Sequence, residues 1–168
     1  MKLINKTLAL IFTTVACNGF AAACEPIIEN NEQYIVHSDG TVTDTINGLI
    51  WMRCRLGESW DGSQCIDEAV AYSWNDALAM SETSTFAGHS DWYLPNIKEL
   101  FSTVDLSCAF PAVNETLFPK TGIAAFWSST HNSNDAAEAW TIEFYRGEPV
   151  LYGKARQNFV RLARKVSP

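Results

Sequence analysis

Long apolar runs, a basic excess, clustered metal ligands and nucleophile motifs are all missing from this sequence. The longest apolar stretch, Leu8-Ala9-Leu10-Ile11-Phe12 and on to Ala16, falls short of the ~20 residues that a membrane-spanning helix needs. No membrane span is expected. The 3 histidines, His37, His89 and His131, are scattered and no C-x-x-C pair is present, which speaks against zinc. There is no G-x-S-x-G, no H-E-x-x-H, no phosphate-cradling glycine loop and no paired His-Asp motif. The usual hydrolase and nucleotide-binding chemistries are therefore not expected, and neither is a cofactor or a metal. Lys+Arg number 12 against Asp+Glu 19, a net charge of −7. That balance argues against nucleic acid or anionic membrane as a partner. Arg146, Lys154, Arg156, Arg161, Arg164 and Lys165 crowd the C-terminal part. A spread of solvated strand charges is expected there rather than one basic patch.

What is present begins with an export signal. Lys2 and Lys6 precede the short apolar core, and Ala21-Ala22-Ala23 offers a small-residue cleavage site, so residues 1–23 read as a signal peptide. Lipid attachment at Cys17 or Cys24 is the competing reading, and neither has the Leu at −3 that it favours. The protein is expected to be exported to the periplasm, the cell surface or the medium. Loss of the two leader lysines leaves ten basic against nineteen acidic residues. About 145 residues then remain, from Cys24 to Pro168, the size of one domain. Apolar content of 47% with 18% charged residues suits a packed globule rather than a disordered tail.

Four of the 5 cysteines survive cleavage, Cys24, Cys54, Cys65 and Cys108, an even number in an oxidising compartment. Three pairings are possible. Cys54 and Cys65 bracket a polar loop with Gly57, Asp61, Gly62 and Ser63. A local bridge would close it, leaving Cys24 for Cys108.

Turn and strand signals fill much of the rest. Tyr34 to His37, Thr41 to Thr43 and Leu49 to Met52 read as strands, joined by turns at Asp39-Gly40 and Asp44 to Gly48. Those carboxylates suit turns better than a calcium loop. Ser73 is placed to cap a helix carrying Trp74 and Leu78 on one face, with Asp76 at N3. Phe126 to Ser129 reads as a buried strand and His131 to Asp135 as a polar loop. Ala139 to Tyr145 alternates, with Trp140, Ile142 and Phe144 on one face. Arg146-Gly147-Glu148 turns, Val150 to Tyr152 returns, and Phe159 to Ala163 closes the sheet.

The segment Gly88 to Leu100 organises the chain. Pro95 forces Leu94 out of the α region. Asn96 follows as helix N-cap, with Glu99 where a capping box wants it. Ile97, Leu100, Phe101 and Val104 then recur at helical spacing. The stretch reads as a core-building corner rather than a binding site.

Gly88-His89-Ser90-Asp91-Trp92-Tyr93-Leu94-Pro95-Asn96-Ile97-Lys98-Glu99-Leu100 resembles the signature of the domain family typified by the C-terminal domain of the Legionella collagen-like adhesin. Asp39 to Asp44 with Gly48 to Met52, Tyr72 to Leu78, Phe126 to Ser129 and Phe159 to Arg164 match it in order. The resemblance implies an α+β fold similar to C-type lectins and formylglycine-generating enzymes, with two helices on short antiparallel sheets. The copper-binding cysteines of those enzymes lie late in the chain, whereas no cysteine follows Cys108 here. Trp74-Asn75-Asp76 falls in an early helix, not on the late strand that carries this tripeptide in sugar-binding lectins, and Glu148-Pro149-Val150 is only a partial echo of their sugar-selecting triplet.

The expected function is that of a non-catalytic, adhesin-like binding module for a surface glycan or an envelope or host protein. Its candidate ligand-binding residues are His131, Asn132, Asn134, Asp135, Tyr145 and Tyr152, in which aromatic faces stand beside polar amides. The alternative is an accessory subunit of a periplasmic or surface assembly such as a pilus or secretion system. The sequence does not fix the oligomeric state.

Overall fold

The computed structural model describes residues 33–167. The signal peptide expected over residues 1–23, and Cys17 and Cys24, lie outside the described residues. The described chain opens on a meander of β1 (Tyr34–Val36), β2 (Thr41–Asp44) and β3 (Leu49–Met52), paired antiparallel with Val36 opposite Val42 and Thr41 opposite Met52. The two expected turns form, and their carboxylates do the turning. Asp39 Oδ1 accepts from the Thr41 N–H at 3.0 Å and the Thr41 hydroxyl at 2.7 Å. Asp44, fully buried, accepts from the N–H groups of Ile46 and Asn47 and from the Asn47 amide.

The polar loop expected between Cys54 and Cys65 is instead a small hairpin, β4 (Ser59–Trp60) against β5 (Cys65–Ile66). The expected Cys54–Cys65 bridge closes it, with Cα atoms 5.5 Å apart. Cys108 is disulfide-bonded as well, and its expected partner, Cys24, is outside the described residues.

Helix α1 (Trp74–Thr83) starts where Ser73 predicts. The Ser73 hydroxyl accepts from the Asp76 N–H at 3.3 Å and donates to the Asp76 carboxylate at 2.6 Å. The corner after it forms as the sequence indicates. Trp92 and Leu94 are buried, and the Trp92 indole donates to Phe86 O at 2.9 Å. Asn96 caps α2 (Ile97–Phe101) in a full capping box with Glu99. The corner also joins two sheets. Tyr93 exchanges backbone bonds with Ala163, and Ser129 N–H donates to Pro95 O at 2.8 Å. Helix α2 ends earlier than the apolar spacing suggests, because the hydroxyls of Ser102 and Thr103 bond back to Glu99 O and Leu100 O and compete with further turns. Phe101, the last residue of the helix, faces solvent, 44% exposed.

The remaining strands are β6 (Ala125–His131), β7 (Glu138–Glu143), β8 (Glu148–Gly153) and β9 (Ala163–Lys165). They complete sheets of order β1-β2-β3-β9 and β6-β7-β8. Strand β6 runs two residues past the expected Ser129 and carries a register shift between Trp127 and His131. The closing strand lies later than expected. Phe159 to Leu162 is shared between sheets instead: Phe159 bonds Ala125 and Trp127, while Val160 O and Leu162 O accept from Leu56 and Met52. Phe126 and Ile142 belong to one apolar cluster with Trp51, Leu100 and Phe118, and Trp127 and Ala139 to a second with Met52, Trp92 and Leu94. The architecture is therefore α+β, with short antiparallel sheets and few helices. No helix among the described residues is long and apolar enough to cross a membrane.

Arg161 sits wholly inside. Its guanidinium lies between the rings of Phe118 (4.9 Å) and Phe126 (5.6 Å) and donates to Met52 O, Arg53 O and the Thr121 hydroxyl. Burial pulls its pKa down to about 9, so it remains a cation at neutral pH.

Candidate functional site

A concavity of about 460 Å³ runs between the end of β1 and the disulfide-closed hairpin. Tyr34, Val36, His37 and Ser38 form one wall, Trp60, Gly62 and Ser63 the other, and Arg53, Thr116 and Leu117 the floor. Trp60 is fixed rather than loose. Its indole N–H donates to Ser38 O at 2.9 Å, and the Arg53 guanidinium lies 4.6 Å from its ring centre. Arg53 is held in turn by the carbonyls of Leu117 (3.1 Å) and Thr116 (2.8 Å), and partial burial lowers its pKa. Gly40 makes the approach of Trp60 possible. A Cβ there would stand 2.5 Å from Trp60 Cγ, and the backbone φ of +83° also favours glycine. At the hairpin tip the Asp61 carboxylate accepts from the N–H groups of Gln64 and Ser63 and from the Ser63 hydroxyl. Those bonds hold its pKa down to about 2. His37 reaches the Thr43 hydroxyl at 2.8 Å. The result is a rigid groove with one aromatic wall, a cation beneath it, and hydroxyl, imidazole and carbonyl groups on its rim.

Sequence reasoning missed this groove. Its signal was a tryptophan and glycines inside a cysteine-bracketed loop, a loop read only for its bridge.

The residues singled out from sequence divide between the two ends of the β6-β7-β8 sheet. His131 closes β6 rather than opening a loop, and it pairs with Ala139, which in turn pairs with Tyr152. His131 and Asn134 are exposed. Asn132 is nearly buried: its amide donates to Glu138 at 2.9 Å and accepts from Asn134 N–H at 3.0 Å. Asp135 accepts from Ala137 N–H at 2.8 Å. Tyr152 donates to Glu143 at 3.2 Å, and Arg156 covers its ring at 3.7 Å. Tyr145 lies at the opposite end, beside the β7–β8 turn, against Phe110 at 4.8 Å. Side chains expected to meet a ligand thus shape turns or bind neighbours, and Tyr145 stands apart from the rest.

The C-terminal cations are dispersed. Arg161 is interior, Arg164 pairs with Asp91 at 2.7 Å, and Lys165 pairs with Glu99 at 2.6 Å. Lys154 and Arg146 each lie over an aromatic ring, Trp74 and Tyr145. Two of these pairs shift the pKa of groups within them. The bond from Arg164 lowers the Asp91 pKa. Burial raises that of Glu99, but bonds from Lys165, Asn96 and Tyr93 outweigh it and leave the pKa low. The bond to Glu99 raises Lys165. Carboxyls with depressed folded pKa values stabilise above the ordinary carboxylate range and lose that contribution as pH falls through the folded value. Lys165 does the reverse at the alkaline end. Urea midpoints should therefore be flat near neutrality and fall steadily below about pH 4 toward pH 2. A midpoint unchanged at pH 2.5 would contradict this.

A protein-family model described as the Lcl C-terminal domain matches residues 40–164. No curated protein matches the chain.

Proposed function

This chain belongs to the Lcl C-terminal domain family, and from that premise we propose that it is an exported, non-catalytic, adhesin-like module that binds a surface glycan in the groove beside Trp60. A lectin-like arrangement of the α+β fold goes with this reading. The observation that carries it is the fixed indole of Trp60 above Arg53 in a concavity of about 460 Å³. A rigid aromatic face stacks on the apolar face of a sugar ring, and polar groups nearby take its hydroxyls. Immobility matters because a wall already ordered loses little entropy on binding. The one histidine of the groove is turned to Thr43, which supports recognition rather than hydrolysis. The Cys54–Cys65 bridge suits an oxidising compartment.

A glycan array with the mature protein tests this. Trp60→Ala should weaken a bound glycan about tenfold or more, while Trp60→Phe should retain part of the affinity. His131→Ala and Asn134→Ala should leave binding unchanged. The opposite pattern would move the site to the His131 end of the sheet. No glycan signal, with an envelope protein co-purifying in its place, would favour an accessory subunit of a surface assembly.

A further inference from the structure

Strand β8 is an edge: in the order β6-β7-β8 nothing pairs with its outer side among the described residues. Such an edge presents a row of unpaired N–H and C=O groups. The register shows which residues face outward. Lys154 N–H donates to Ala137 O, and the Thr141 hydroxyl donates to Val150 O. Glu148, Val150, Tyr152 and Lys154 therefore turn their backbone groups to β7, and Pro149, Leu151 and Gly153 turn theirs outward. Proline has no N–H, and Gly153 O already accepts from Arg156 N–H at 2.9 Å. The open groups are Leu151 N–H, Leu151 C=O, Gly153 N–H and Pro149 C=O.

We infer that this edge pairs with a second copy of itself, antiparallel about Leu151. In that register the two Leu151 residues exchange both of their bonds. Gly153 N–H of each copy meets Pro149 C=O of the other. Every open group finds a partner, and the two groups that could not bond, the missing proline N–H and the occupied glycine carbonyl, fall opposite one another. Sliding the pairing by two residues in either direction strands the Leu151 N–H or its C=O. The same register sets Glu148 opposite Lys154 of the second copy, twice; the Lys154 ammonium, which donates to Ala136 O at 2.8 Å and lies over Trp74 within its own copy, has further N–H groups for that carboxylate. Beside the edge, Ile97, Lys98, Phe101 and Pro149 line a shallow depression of about 260 Å³, which the pairing would extend with Leu151 from both copies. The two β6-β7-β8 sheets would then run on as one six-stranded sheet, and the Trp60 grooves, built from β1 and the β4–β5 hairpin, would stay open.

Sedimentation of the mature, oxidised protein over a concentration series tests this. A reversible species of twice the monomer mass is expected. Glu148→Lys places like charges opposite each other twice and should raise the dimer dissociation constant about tenfold. The double exchange Glu148→Lys with Lys154→Glu should restore it, and circular dichroism should show both variants folded. That rescue separates pairing from damage to the fold. A protein that stays monomeric at concentrations on the order of 500 µM overturns the proposal, and would leave the edge to a strand from a different protein. A dimer indifferent to both variants overturns it equally.

Discussion

Arg161→Ala should lower the free energy of unfolding by about 3–5 kcal/mol, the largest loss expected from any single side chain in this fold. Two effects add. The substitution empties the space between the rings of Phe118 and Phe126. It also removes the donor to Met52 O, Arg53 O and the Thr121 hydroxyl, in an interior where a polar group without a partner costs about 1–3 kcal/mol. Those carbonyls lie at the end of β3, next to the floor of the Trp60 groove, so the damage should spread to the site. Arg161→Met keeps most of the volume and loses the donors, and it should cost about half as much. Urea unfolding followed by circular dichroism measures both. If Arg161→Met proved as stable as the wild type, the guanidinium would be filling space and no more.

Removing the Cys54–Cys65 bridge as Cys54→Ala with Cys65→Ala should cost about 3 kcal/mol, from the freedom an 11-residue separation regains in the unfolded chain. The functional loss should exceed the structural one. Hairpin β4–β5 has two residues in each strand, too little to stand alone, and Trp60 sits in it. Hydrogen exchange should quicken at residues 61–64 while the β6-β7-β8 sheet keeps its protection. Glycan affinity should fall toward that of Trp60→Ala in protein that is still folded. Full affinity in the bridgeless variant would show that Arg53 and Ser38 hold the indole unaided.

Much of the frame could be read from residues alone, because the signals were local. Asn96 and Glu99 define a helix start within four residues, Pro95 forces the extended entry to it, and Asp39-Gly40 defines a turn within two. The bridge was legible because its two cysteines sit close in sequence around turn residues. The groove was not, because it depends on contacts far apart in the chain: Arg53 with Thr116, Trp60 with Ser38, a glycine at position 40 that exists for the sake of residue 60. The local bonds of the polar residues after β6 were hidden for a related reason. Asn132 and Asp135 look available in sequence, but an amide or carboxylate near a turn first satisfies the backbone beside it. Helix α2 was overextended because apolar spacing carries no record of the hydroxyls of Ser102 and Thr103 bonding back to the preceding carbonyls.

Leu49 faces Lys165 across the first sheet, so β3 finds its partner 116 positions further along the chain. Pairings that distant form slowly, since a long intervening loop must close before any reward arrives. Until that segment arrives, the meander β1-β2-β3 keeps β3 as an uncovered edge, open to pairing with a wrong strand.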